Sequence, residues 1–231
     1  MKSQKISNEP KRWYDDACGT AHALELIGER WALLVIRELM FGPRRFGELR
    51  AGLPGISANV LTQRLEGLEA AGIIIRHKLP PPASVQVYEL TPWGYDSEPI
   101  IQVLGRWAVR SPGHDPGQHL SAASLMLSFR TMLSPERAEG MKAKIGFRFG
   151  ADSFVARLRK GRMEISRGEP DEPDFVIASD PMTVASIIYG GRPIADAEAA
   201  GAFHLTGDRA LAARFVILFP LPTKIVPSKI D

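Results

Sequence analysis

The chain has a single cysteine, Cys18, among its 231 residues. No disulfide can form within it, which fits a reducing compartment. Cysteine and histidine nowhere take zinc-ligand spacing. His114 and His119 flank Asp115 in a glycine- and proline-rich stretch and read as linker residues, so no metal is expected. There is no run of about eighteen apolar residues, hence no expected transmembrane helix. The first residues, MKSQKISNEPKRWYDD, lack the apolar centre of a signal peptide. A cytoplasmic protein without a membrane partner is the expectation. Also missing are a nucleophile elbow, a phosphate loop and any paired acid–base constellation. Gly190-Gly191 is too little for a phosphate site. No catalytic residue, no cofactor and no enzymatic activity are therefore expected.

The chain has an ordinary globular composition, 45% hydrophobic and 24% charged, with a net charge of only +3. The length allows one large domain or two ordinary ones. Placement of charge says more than its sum. Between Phe41 and Arg64 stand Arg44, Arg45, Arg50 and Arg64 against one acid, Glu48. That bias suits a nucleic-acid face and equally a solvated charged surface. The best boundary is 111–117, SPGHDPG, which cannot continue a helix. It divides the chain into 1–112, a linker at 113–117, and 118–231.

The first part alternates helical periodicity with stop signals. Helices are expected at Ala21–Ile27 and at Arg30–Phe41, the latter with Trp31, Leu34, Val35 and Leu39 on one face. A short helix is expected next, at Arg45–Arg50. Gly52, Pro54 and Gly55 make a turn. Ser57 caps a third helix whose buried stripe is Ala58, Leu61, Leu65 and Leu68, with Gly72 as its stop. The other face of that helix carries Asn59, Val60, Thr62, Gln63 and Arg64. Asn and Gln can pair with adenine, Arg with guanine, and Thr or Val can touch a thymine methyl. Such a face also describes any amphipathic surface helix. The next segment decides for base reading: two strands, Ile73–Leu79 and Val85–Leu90, around a proline tip at Pro80–Ser84. Arg76, His77 and Lys78 lie near the tip, where they can meet phosphates. Arg44 and Arg45 are assigned the same phosphate role and Arg64 a base. Thr91-Pro92 then starts a helix with Trp93, Ile100, Leu104 and Trp107 as its apolar stripe.

Cys18, residues 23–57, VLTQRLEGLEAAGII at 60–74 and VYELTPWGYDSEPII at 87–101 carry a resemblance to the HxlR family of bacterial winged-helix transcriptional regulators. The resemblance runs from about Ala17 to Ala108. It implies double-stranded DNA as partner. It also implies a homodimer built from the N-terminal segment and the helix after the wing, with Trp13, Tyr14, Leu104 and Trp107 at the interface. Burial of these side chains within the monomer explains them equally well. A dimer places two third helices about one helical turn apart, so a pseudo-palindromic operator is expected. Some members sense oxidants or electrophiles through a cysteine near the first helix, and Cys18 matches that position. The competing reading, a small buried residue packing the first helix, is preferred on the residues alone.

The second part reads as a helix at Gln118–Leu133, then strands at Ile145–Phe149, Ser153–Arg159, Arg162–Ser166 and Asp174–Ala178. Asp180-Pro181 starts a helix to Tyr189, followed by a helical piece at Ala195–Ala199, a strand at Phe203–Thr206 and a helix at Asp208–Phe219. The expected class is α+β, with an antiparallel sheet and helices grouped after it. DPMTVASIIYGG at 180–191 and LTGDRALAARFVILFPLP at 205–222 give this part a resemblance to the sterol carrier protein domain, covering about Ala143 to Pro222. The resemblance implies a tunnel for a fatty, acyl or sterol-like molecule. Phe147, Phe149, Phe154, Phe175, Ile187, Ile188, Phe203, Phe215 and Phe219 are the residues to line it, or simply to fill a core.

Three functions fit these features. The leading one is a dimeric DNA-binding regulator controlled by an apolar small molecule in the second part. Another makes Cys18 the sensor and the second part purely structural. A third is a carrier of hydrophobic molecules whose winged helix binds protein.

Overall fold

A computed structural model of the protein describes residues 14–226. Trp13 lies outside the described residues. The first part contains α1 (Gly19–Ile27), α2 (Ala32–Leu39), α3 (Phe46–Gly52), α4 (Ala58–Ala70), β1 (Ile74–Lys78), β2 (Gln86–Leu90), α5 (Pro92–Tyr95) and α6 (Glu98–Ala108). The second contains α7 (Ala122–Met132), β3 (Ala143–Phe149), β4 (Asp152–Arg159), β5 (Arg162–Arg167), β6 (Phe175–Ser179), α8 (Pro181–Ile188), α9 (Ile194–Ala199), β7 (Phe203–Gly207) and α10 (Arg209–Val216).

Local chemistry explains most boundaries. Ser57, Thr91, Ser121, Asp180 and Asp208 each accept a backbone N–H at the start of a helix, satisfying donors that the helix cannot. Gly72 ends the α4 segment at φ +72°, a conformation that suits glycine. The wing strands pair antiparallel from Ile74↔Leu90 to Lys78↔Gln86. Arg44 adds a third short rung, exchanging both backbone hydrogen bonds with Tyr88 at 2.9 and 2.8 Å.

The expected α+β layout is present, but the sheet is mixed rather than antiparallel. Its order is β5-β4-β3-β6-β7, and β6 runs parallel to β3. The chain from β5 crosses the sheet before β6. Pro170 lies over Gly146, where an added Cβ would come within 2.7 Å of it. Alternation places Ile145, Phe147, Phe154, Ala156, Ile165 and Ile177 on the packed face. Helix α7 is shorter than expected, beginning at Ser121, because that serine caps it. Nearly all its residues are buried. A helix buried on nearly every side needs cover all round, and here both parts supply it.

The two parts share one buried core. Phe41 meets Phe154 edge to face at 5.7 Å between centroids. Arg130 lies over Phe41 at 4.9 Å and Arg167 over Phe154 at 4.5 Å, so cations close both ends of the pair. Arg44 binds Asp152 through two hydrogen bonds, 2.7 and 3.1 Å, and Arg167 reaches the same carboxylate at 2.6 Å. Glu38 of α2 accepts from Ser121 at 2.6 Å. Glu98 of α6 accepts from Arg130 of α7 at 2.8 Å.

Removing Asp152 leaves two guanidiniums without their carboxylate at this packed junction. Breaking a fully buried pair costs about 3–5 kcal/mol. Asp152→Ala, at a partly exposed site, is expected to cost roughly 2–4 kcal/mol in urea unfolding. Arg159→Ala, which breaks the exposed Arg159–Glu164 pair, should leave stability unchanged. Equal effects from the two would refute the structural weight given to the junction.

Candidate nucleic-acid interface

Helix α4 is held from behind by Leu61, Leu65 and Leu68, all buried. This leaves Asn59, Thr62 and Gln63 exposed on its N-terminal half. Ser57 Oγ accepts the Val60 N–H at 3.2 Å, which fixes the start of the helix. Val60 is half-buried and packs against the core, so only part of it is presented. Glu66 shares the exposed side. Sequence reasoning missed it, although its place one turn beyond Thr62 was visible there. A carboxylate can accept from cytosine and repels phosphate.

The arginines divide. Arg64 is half-buried and pairs with Glu29 at 3.0 Å, so its charge is already engaged. Arg44 does not stand free for a phosphate. Its guanidinium is turned into the junction with Asp152, because its backbone is fixed in the rung with Tyr88. Arg45 is exposed, and its N–H donates to Glu48 at 2.8 Å, starting α3. On the wing, Arg76 lies 3.9 Å from Glu69 and His77 bonds Glu89 at 2.8 Å. Lys78 is exposed at the end of β1. Among the described residues, Arg45 and Lys78 make no ion pair.

The helix after the wing is broken at Asp96-Ser97 into α5 and α6. Its apolar stripe is not buried in the monomer. Trp93, Ile100, Leu104 and Trp107 are all exposed, Trp107 by 68%. Val103, 70% exposed, joins them. Its spacing from Ile100 and Trp107 was the signal for it. Leu34 of α2 is likewise exposed rather than inward, beside Leu24 of α1 and Tyr14 among the large exposed apolar side chains.

Cys18 is exposed as well, against the reading of a buried packing residue. It occupies the N-terminal flank of α1. The nearby backbone N–H groups of Thr20 and Ala21 favour the thiolate and hold the thiol pKa below its ordinary value.

In the second part, Phe147, Phe149, Phe154, Phe175, Phe203, Phe215 and Phe219 are all buried. All of them except Phe203 pack ring on ring with one another or with Phe129, with centroids 4.7–6.3 Å apart. Ile187, Ile188 and Phe219 line a cavity of about 500 Å³, together with Tyr189, Val216 and Leu221. Arg137 and Arg192 also line it, and no carboxylate does. Among the described residues no group of three metal-ligating side chains occurs, and no helix is long and apolar enough to cross a membrane.

A family model described as HxlR-like helix-turn-helix matches residues 26–114. The uncharacterized HTH-type transcriptional regulator YvaP of Bacillus subtilis is 35% identical over 86 residues, 37% of this chain and 80% of that protein. The uncharacterized HTH-type transcriptional regulator Rv3095 of Mycobacterium tuberculosis is 32% identical over 157 residues, 61% of this chain and 97% of that protein. Among solved structures, the reduced form of the transcriptional regulator YodB from Bacillus subtilis matches at 35% identity. It covers 44% of this chain and 98% of that one, with a TM-score of 0.38.

The exposed thiol gives a direct test of its surroundings. The rate of Cys18 alkylation by iodoacetamide should inflect at a lower pH than the value measured for the same cysteine in a short unfolded peptide. An inflection at or above that value would remove the stabilisation assigned to the start of α1.

Proposed function

The chain belongs to the HxlR-like helix-turn-helix family, a transcriptional regulator with a helix-turn-helix DNA-binding domain, and on that footing we propose that it works as a dimer on a pseudo-palindromic operator. Helix α4 enters the major groove, and Asn59, Thr62 and Gln63 read base edges. Arg45 and Lys78 hold phosphates. The observation that carries this reading is the capped N-terminal half of α4, polar outside and backed by three buried leucines. The exposed stripe Ile100, Val103, Leu104 and Trp107 supports α6 as the dimer contact. Contiguous exposed apolar surface of this kind marks association sites.

The domain 118–231 is the place for an apolar effector. The cavity lined by Ile187, Ile188 and Phe219 supports it, and Arg137 and Arg192 suit a ligand with a carboxylate end. The effector acts only if it binds two packings of the dimer unequally. A second reading, Cys18 as a sensor of oxidants or electrophiles, is favoured by its exposure and stabilised thiolate.

Fluorescence anisotropy on DNA from upstream of the gene, across a salt series with random competitor, tests the central claim. Specific binding should survive competitor and weaken steeply with salt. Asn59→Ala or Gln63→Ala should cost about 1–3 kcal/mol of discrimination. Lys78→Ala should weaken all sequences alike and lower the salt slope by about one. Trp107→Asp should give monomers in sedimentation. Binding abolished by competitor on every operator-containing fragment, or a dimer indifferent to Trp107→Asp, would overturn the corresponding part.

A further inference from the structure

A cleft of about 760 Å³ opens where the two parts meet. Glu38, Glu48, Asp152 and Glu169 line it, against Arg44 and Arg167. Both guanidiniums are already bound to Asp152. Glu48 accepts the Arg45 N–H, and Glu169 lies 3.4 Å from Arg148. His119 stands on the exposed side. Each acid is thus met by a cation, Glu38 by Arg37, Glu48 by Arg44 at 3.9 Å, Asp152 by Arg44 and Arg167, and Glu169 by Arg148, so the pairs leave no net excess of either sign.

Glu38 stands apart from the other acids. It is only 2% exposed. Its Oε1 accepts from Arg37 Nε and Nη2 at 3.1 and 2.8 Å, and from Ser121 Oγ at 2.6 Å. These donors satisfy one oxygen of the buried carboxylate. Its Oε2 accepts no hydrogen bond among the described residues. That oxygen lies beside Gly52, where an added Cβ would come within 2.6 Å of it. Gly52 is itself a wall of the cleft, as are Pro43, Leu120 and Phe149. A buried carboxylate oxygen with unused acceptor capacity beside apolar walls defines a ligand class, a hydrogen-bond donor on an apolar body.

We propose that this cleft binds a small molecule carrying an ammonium group on an apolar body. The ammonium donates to Glu38 Oε2, and the body lies against Pro43, Leu120 and Phe149. The site is separate from the apolar cavity near Ile187, and its occupation does not depend on DNA reading. Its walls are tied across by Arg44–Asp152 and Glu38–Ser121, so an occupant touches both parts at once.

Calorimetric titration of the full chain with three matched probes tests this: 4-phenylbutylammonium, 4-phenylbutanol and 4-phenylbutyrate. Ala51 is an exposed residue of α3 that lines the cleft. Ala51→Phe fills the cleft without touching the bonds of Glu38, and thermal unfolding checks that the variant folds. Binding at this site is the part that Ala51→Phe removes. The ammonium is expected to bind roughly ten- to hundredfold tighter than the alcohol, the worth of one charge-assisted hydrogen bond. The carboxylate should be weakest. Glu38→Gln should level the ammonium with the alcohol. No binding sensitive to Ala51→Phe, or butyrate equal to the ammonium at that site, would overturn the proposal.

Discussion

Asp152 holds two guanidiniums, and the path of the whole chain depends on that arrangement. Arg44 belongs to the first part, at the turn before α3, while Asp152 and Arg167 close the inner edge of the sheet. Burial and the neighbouring Arg44 charge both weigh against the Arg167 cation and hold its pKa below the ordinary value, with Asp152 countering them in part. Phe41 and Phe154 shield the pair from below, each carrying a cation on its face. Ion pairs gain from such shielding only when both partners are fixed. Here the rung between Arg44 and Tyr88 fixes one partner and the pairing of β4 with β5 fixes the others. The Pro/Gly stretch at 111–117 therefore joins parts whose arrangement is set by packing.

Helix starts, the wing strands and α4 were legible because their signals are local. A cap and its helix lie within three residues, and a strand shows its period over five. The role of Arg44 was not legible, because its partner lies 108 residues away. An arginine beside Arg45 in a basic stretch reads as a phosphate ligand until the fold supplies a carboxylate. Arg64 misled in the same manner, with Glu29 brought to it by the packing of α1 on α4. The mixed sheet was missed for a related reason. Alternation identifies strands but not their neighbours, and the segment between β5 and β6, with Pro170 over Gly146, carries the chain across to the open side of β3.

Two apolar patterns in the sequence had opposite fates. The phenylalanines of the second part pack on one another, while the stripe on α6 is exposed. Periodicity could not separate them, since helical spacing states that a face is apolar without stating what covers it. The cover comes from tertiary neighbours. α7 lies on one side of α6, through Glu98–Arg130 and Arg106 Nη1 to the Thr131 carbonyl at 3.2 Å. The face bearing Ile100, Val103 and Trp107 is left outside.

That geometry constrains how the second part can influence the first. Helix α7 touches both α2 and α6. α2 packs in turn against α4. A shift of α7 is therefore transmitted along two routes. One runs through α2, bearing Glu38, to α4. The other runs through α6 to the exposed stripe. Close-packed interiors move between discrete arrangements rather than deforming smoothly. Under the proposed function, occupation of a site touching α7 would bear on α4 and on the exposed stripe of α6 together, and the coupling energy would be the difference in ligand affinity between the two arrangements.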